Sequence, residues 1–197
     1  MGDGDAIEVA GERVRQPDAF AYLVLHKPAG VVTTMRDPQG RRTVAALLPR
    51  DRRLVPVGRL DYDSSGVLLA TDDGALAHRL LHPRFGVDKR YRATIAGRLS
   101  AADVRRIADG VVLDGTATHG AKVRVVAAGR THSVVDITVH EGRNRQVRRM
   151  FEALGHPVTA LTRVRFGPIA LGRLAPGAVR ELTARERLAL QRHRDGG

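Results

Sequence analysis

The chain has 197 residues, none of them cysteine, and 43% are hydrophobic. A chain of this length buries roughly 70% of its extended surface on folding, and the composition excludes general disorder, disulfides, thiol catalysis, zinc ribbons and iron–sulfur clusters. Lys plus Arg number 33 against 21 Asp plus Glu, a formal charge of +12, and only Lys27, Lys89 and Lys122 are lysines. Arginine grips phosphates with two parallel hydrogen bonds and stacks on bases, so this balance points to a polyanionic partner, nucleic acid first. No apolar run approaches the ~20 residues of a membrane span, and no secretory signal is visible, so a cytoplasmic location without a membrane partner is expected.

Residues 1–5 are polar and glycine-rich and read as a mobile start. Ile7 to Val14 reads as a short hairpin, and Tyr22 to Leu25 as a strand closed by Lys27, Pro28 and Gly30. Arg36 to Arg42 is a loop by its Pro and Gly, and Val44 to Leu48 a helical turn stopped by Pro49. Val67 to Ala70 is a continuous apolar run, which predicts a strand buried on both faces. Asp72 and Asp73 offer capping oxygens to a helix carrying Leu76, Ala77, Leu80 and Leu81 on one face, ended by Pro83.

Tyr91, Ala93 and Ile95 alternate with polar residues, a strand pattern. Ser100 with Asp103 resembles a capping box for a helix bearing Val104, Ile107 and Ala108, ended by Gly110. Val111 to Leu113, Lys122 to Val126 and Val134 to Val139 read as strands. Glu141 to Leu154 is predicted as one helix, since Val147, Met150, Phe151 and Leu154 share a face and Gly155 follows. Val158 to Leu171 mixes strand and turn, and residues 191–197 read as a disordered tail. Strands and helices interleave without a βαβ rhythm, so the expected class is α+β with a mostly antiparallel sheet.

Two segments stand out chemically. Gly58 to Gly66 places Asp61 and Asp63 on a loop at the mouth of the buried strand. Such a carboxylate serves as nucleophile or general base, or two act as a pair in glycosidic cleavage; for Asp63, an Asx-turn with Ser64 and Ser65 is the plainer expectation. The second segment is Glu141 to Met150, whose helix face would carry Arg145, Arg148, Arg149 and Glu152. That face suits phosphates, and one arginine of it suits a buried carboxylate; a merely solvated face is the alternative. Tyr91, framed by Lys89, Arg90 and Arg92, fits either base stacking or core packing. His78 and His82 have a zinc-compatible spacing but no third ligand or accompanying glutamate, so no metal is expected.

Gly58-Arg59-Leu60-Asp61-x-Asp63-Ser64-Ser65-Gly66-Val67-Leu68-Leu69, with Thr71 to Gly74, resembles the signature of bacterial ribosomal pseudouridine synthases. The branch is that of small-subunit synthase A and large-subunit synthases B, E and F. Lys27-Pro28-x-Gly30-Val31, Lys89-x-Tyr91 and Glu141 to Met150 match the same family, and the likeness spans about residues 22–185. The Gly142 to Met150 run and Leu161 to Gly167 are most similar to large-subunit synthase B. The resemblance implies the pseudouridine synthase fold: a mixed, mostly antiparallel central sheet flanked by helices, with the active-site cleft between halves at about 22–87 and 88–190. Residues 1–21 would then be an extension, or the remnant of a linker to an RNA-binding module that many members carry.

The implied reaction converts a uridine of rRNA, 23S rather than 16S, to pseudouridine. By the motif match Asp61 is the catalytic aspartate, Arg148 the basic residue paired with it, and Tyr91 the residue stacked on the target base. Arg59 matches a residue that fills the space left by the flipped base. Lys89, Arg143, Asn144, Arg145, Gln146 and Arg149 are the remaining expected RNA contacts. The family implies no metal or organic cofactor, and a monomer is expected. The alternatives are a catalytically silent rRNA-binding or ribosome-assembly factor, or an N-glycosidase that would release free base; no helix-turn-helix pattern supports a DNA-binding protein.

Overall fold

The computed structural model describes residues 7–9, 12–14 and 20–194. The polar start at 1–5 therefore lies outside the described residues. The expected hairpin forms between β1 (Ile7–Val9) and β2 (Glu12–Val14), with Ile7 opposite Val14. The first half then contributes β3 (Tyr22–Lys27), a 3-10 turn at Val44–Ala46, β4 (Val55–Pro56), β5 (Ser65–Thr71) and helix α1 (Gly74–Leu81). Next come β6 (Lys89–Ala96), α2 (Ala101–Asp109), β7 (Val112–Leu113), β8 (Thr116–Ala117), β9 (Lys122–Ala128) and β10 (His132–Val139). Helix α3 (Gln146–Glu152), β11 (Val158–Phe166), β12 (Ile169–Ala170), β13 (Val179–Glu181) and α4 (Ala184–Arg194) complete the chain.

One sheet runs through the molecule in the order β13-β3-β5-β11-β6-β10-β9, with β4 pairing on β5 and β12 on β11. Every pairing in it is antiparallel except β5 with β11, which is parallel. That pairing joins the two halves. There Gly66 has φ +117, and a Cβ on it would lie 2.2 Å from the carbonyl oxygen of Arg163. Only glycine lets the strands approach this closely.

The period-2 pattern of β5 sorts its apolar run to both faces. Val67 and Leu69 join Leu76, Leu80, Phe166, Leu182 and Leu190 under α1 and α4. Leu68 and Ala70 join Leu25, Val31, Val44 and Leu60 on the opposite side. The second half has its own core, in which Ile107 of α2 and Val147, Met150 and Phe151 of α3 pack on Ala93, Ile95 and Ile137. The caps act as expected: Asp73 accepts from the Leu76 N–H at 2.9 Å, and Ser100 with Asp103 forms a full capping box.

Four expectations are corrected. Helix α3 begins at Gln146 rather than 141, because Arg145 takes a left-handed conformation (φ +48) and residues 141–145 form a loop. Helix α4 was not foreseen, and it carries helical backbone to Arg194, into the stretch expected to be disordered; residues 195–197 lie outside the described residues. Leu81 is 48% exposed instead of joining the α1 core face. The halves do not divide cleanly at residue 88, since Phe166, Ile169, Leu182 and Leu190 return to the core of the first half.

Candidate active site

A cleft of about 520 Å³ opens between the halves. Its first wall is Gly58–Asp61 and Ser64 with Leu80, Leu81 and His82; its second is Val139–Val147; Lys89, Tyr91 and Leu161 also line it. The structure therefore brings Asp61, Arg59, Tyr91, Lys89, Arg143, Asn144, Arg145 and Gln146 around one space. Arg148 and Arg149 are not among its lining residues.

Asp61 sits just before β5 on a turn closed by the Ser64 N–H donating to the Asp61 carbonyl at 3.1 Å. Thr33 Oγ1 fixes the preceding residue, donating to the Leu60 carbonyl at 2.7 Å and accepting from its N–H at 3.2 Å. The nearest guanidinium to the Asp61 carboxylate is that of Arg145, at 4.0 Å. Among the described residues no donor hydrogen-bonds the Asp61 carboxylate, so its oxygens face the cleft unengaged.

The expected Asp61–Arg148 pair is replaced by a different arrangement. Arg148 is buried and reaches Asp63: its Nη2 donates to the Asp63 carbonyl at 2.9 Å, and its Nε lies 3.3 Å from Oδ2 of Asp63. That Nε contact is off-line for a hydrogen bond and leaves the group without one. Its Nη1 donates to the Val158 carbonyl at 2.9 Å. The fork is fixed by the two carbonyls it spans, and it meets the residue two positions beyond Asp61. Arg145 also chooses Asp63, donating from both Nη atoms at 3.0 and 3.1 Å. Burial alone would raise the Asp63 carboxyl, but the Arg145 hydrogen bonds and the charges of Arg148 and Arg145 reverse this and hold it below the usual carboxylate range. The Asx-turn expected for Asp63 thus gives way to an ion cluster.

Tyr91 is partly core and partly cleft wall. Its body packs against the core of the second half and the Leu60–Leu68 cluster of the first, while it also lines the cleft. Lys89 donates to the Val87 carbonyl at 3.0 Å, and burial, with the charge of Arg163, pushes its ammonium below the usual range. Arg59 and Asn144 are exposed at the rim.

Three expected RNA contacts have other partners. Gln146 is buried; it donates to Glu141 at 2.6 Å and accepts from the Arg143 N–H at 3.2 Å, shaping the loop. Arg143 spends its fork on the Thr116 and Ala117 carbonyls at 3.2 and 2.7 Å and on Glu141 at 3.2 Å. Arg149 pairs with Asp114 at 2.5 Å. Arg143 and Arg149 together tie the β7–β8 hairpin to the start of α3. Glu141, the hub of this loop, carried one readable sign in the sequence: a lone carboxylate opening a basic run.

Behind Asp61 lies Lys27, with no exposed surface, donating to the Pro28 and Val31 carbonyls at 2.9 and 2.7 Å. Burial lowers its ammonium to about 8, opposed by the charges of Asp61 and Asp63 and assisted by that of Arg163. Arg163 is also buried; its Nε donates to the Val67 carbonyl at 2.8 Å and its guanidinium lies over the Phe166 ring at 5.1 Å. Among the described residues no cluster of three or more His, Asp and Glu side chains could hold a metal ion, and no helix is long and apolar enough to cross a membrane.

The family model of RNA pseudouridylate synthases matches residues 21–153. The chain is 40% identical over 196 residues to the ribosomal large subunit pseudouridine synthase B of Bacillus subtilis, covering 98% of this chain and 80% of that protein. It is 39% identical to the protein of the same name from Pseudomonas aeruginosa, covering 92% of this chain and 49% of that one. A crystal structure of a pseudouridylate synthase superposes with a TM-score of 0.81 at 32% identity, covering 96% of this chain and 82% of that chain. Human RNA pseudouridylate synthase domain containing 1 shares the fold, with a TM-score of 0.57 at 18% identity, covering 87% of this chain and 81% of that one. A turn that presents an unengaged carboxylate to a cation-rimmed cleft, on this sheet and with these relatives, makes the chain an enzyme of the RNA pseudouridylate synthase family.

Proposed function

We propose that this chain isomerises a uridine of rRNA to pseudouridine, that 23S rRNA is the substrate, and that Asp61 is the catalytic carboxylate. The observation that carries the reading is the Asp61 carboxylate, free of hydrogen bonds and 4.0 Å from the Arg145 guanidinium, at a cleft lined by Tyr91. The names of the Bacillus and Pseudomonas relatives support the large-subunit substrate. The enzyme acts as a monomer in the cytoplasm, without a metal or organic cofactor.

The reaction requires the target base to leave the helix stack, which costs a few kcal/mol. Tyr91 offsets part of that cost by stacking on the extruded uracil, an interaction worth ~1–3 kcal/mol. Arg59, on the rim, fills the vacated space, and Lys89, Asn144 and Arg145 bind the flanking backbone. Asp61 acts on the nucleotide through its carboxylate. The N1–C1′ bond breaks, the uracil turns, C5 bonds to C1′, the C5 proton is lost to solvent and N1 takes up a proton. The product is an isomer of the substrate, and no free base is released.

The test is tritium release from rRNA labelled at uridine C5, with wild type and Asp61→Asn side by side. Wild type releases tritium from 23S rRNA; Asp61→Asn releases none while its RNA affinity stays within about threefold, since the change is isosteric. Turnover by Asp61→Asn would remove Asp61 from the chemistry. Release from 16S and not 23S would reassign the substrate, and release from neither, nor from precursor particles, would leave an rRNA-binding factor.

A further inference from the structure

We propose that the outer face of β6, β9, β10 and β11, on the side of the sheet away from α2 and α3, is a second RNA-binding surface. It takes the phosphate backbone of an rRNA duplex that flanks the target site, and the proposal rests on rRNA being the substrate. The face follows from the period-2 alternation of β6. Ala93 and Ile95 point into the core under α2 and α3, so Arg90 and Arg92 point the other way, and both are exposed. Lys122, Arg124 and Arg165 are exposed beside them, and none of the five cations lines the cleft.

Strand register sorts these cations into two rows. One row crosses four strands as Lys122, Thr138, Arg90 and Arg165, each opposite the next. It spans three strand spacings, about 14 Å, and holds no carboxylate. The adjacent row runs Arg124, Asp136, Arg92 and Thr162. There the buried Asp136 lies 2.9 Å from Arg92 Nε and 3.0 Å from Arg124 Nη2. The hydrogen bonds of Arg92 and Arg124 hold its carboxyl below the usual range against the effect of burial. The first row has no such counter-charge. Like charges directly opposite across strands are destabilising, yet Arg90 and Arg165 face each other and neither forms an ion pair among the described residues. Asp88, the carboxylate just before β6, contacts His140 rather than Arg90. An anion from outside the chain is what this row lacks.

The chemistry of the face selects the occupant. Guanidiniums grip phosphate with two parallel hydrogen bonds. Single-stranded sites add aromatic platforms for unpaired bases, and neither row holds a Tyr, Phe or Trp. Duplex RNA is recognised instead by its phosphates and 2′-hydroxyls, with little regard to base identity, and cations interleaved with the Thr138 hydroxyl suit that task. The surface also adjoins the site. Arg90 stands between Lys89 and Tyr91, which line the cleft from the other side of the same strand. One rRNA molecule thus reaches both faces around the end of β6, with its target uridine in the cleft and a flanking helix on the outer rows.

Filter binding of a fully paired RNA duplex at several salt concentrations tests the surface without relying on activity. Arg90→Gln with Arg165→Gln should lower the slope of log affinity against log salt by about 1.4–1.8, two phosphate contacts. Arg105→Gln with Arg106→Gln removes the same charge from α2, across the sheet, and should leave the slope nearly unchanged. Equal losses in the two double variants would mean that net charge rather than this face binds RNA, and an unchanged slope in the first overturns the proposal outright. The first pair relieves a like-charge contact, so its melting temperature should not fall below wild type; a lower one with an unchanged slope would make the two arginines part of the fold only. With 23S rRNA, the same variant should raise KM about tenfold and keep kcat within about twofold. A fall in kcat with KM unchanged would place the face in the chemistry and overturn its role as a docking surface. Failure of the proposed function shows separately, as a wild-type enzyme that releases no tritium, and the duplex measurement still reads on this surface.

Discussion

A guanidinium buried to the degree of Arg148, 4% exposed, must spend its donors inside the protein, and the pattern of spending decides what its removal costs. Two of its nitrogens hold main-chain carbonyls on different elements, Val158 of β11 and Asp63 of the active-site turn. Arg148→Ala leaves both carbonyls short of a partner and the turn unanchored; a loss of about 3 kcal/mol is expected, measured by urea unfolding. Arg148→Lys recovers only part of that, because an ammonium lacks the planar fork that spans the two carbonyls.

Lys27 gives a pH signature at the same scale. Burial lowers its folded value to about 8 from an ordinary 10.5. Between those two pH values the unfolded chain binds the proton and the folded chain does not, so stability rises with pH. Below pH 8 both states are charged and the full charging penalty stands. Relative to Lys27→Met, wild type should therefore gain up to about 3 kcal/mol as pH rises through this window. Parallel urea-unfolding stabilities of the two proteins from pH 7 to 10 would show that Lys27 does not titrate there.

The elements owe their arrangement to one close approach and one loop. At the parallel junction of β5 and β11, Gly66 lies against Arg163, and a Cβ there would fall 2.2 Å from the Arg163 carbonyl oxygen. Gly66→Ala should cost more than about 3 kcal/mol, since backbone on both sides must shift and φ +117 is itself unfavourable for alanine. Thermal unfolding measures it, and a melting temperature near wild type would mean that the junction is more pliant than its packing. The 141–145 loop illustrates the reverse case. The apolar period over 147–154 is a correct signal for α3, yet it says nothing about where the helix starts. Glu141, Gln146 and the left-handed Arg145 close a loop instead, which turns Arg143 and Arg149 toward the β7–β8 hairpin.

Over the whole molecule, the formal charge of +12 separates into guanidiniums that are occupied and guanidiniums that are available. Arg149 is occupied by Asp114 and Arg143 by Glu141 and two carbonyls. Arg59 is exposed at the cleft rim and pairs with no carboxylate among the described residues. Counterion release then distinguishes them. Arg59→Ala, which removes a cation inserted between the strands' phosphates where the base has left, should lower the slope of log affinity against log salt by up to about 0.7–0.9, whereas Arg149→Ala should leave it nearly unchanged. Filter binding to an rRNA fragment at several salt concentrations measures both, and equal changes would mean that RNA displaces Asp114 from Arg149.

The local features were legible in the sequence because each depends on neighbours within a few residues. They include the Asp73 and Ser100 caps, the two-faced strand at 67–70, the turn carrying Asp61 and the α3 core face. The ordered motifs were also enough to identify the family. The disposition of the site was not legible. That Asp63 rather than Asp61 takes both arginines and that residues 166–190 return to the first core depend on β11 crossing to lie parallel to β5, and that Gln146 is internal depends on a loop closed by Glu141 and a left-handed Arg145. Chain order holds no record of that crossing. Residue order sets which side chains are available and what local backbone they favour; folding sets which charge meets which, because that follows from distances between segments far apart in the chain.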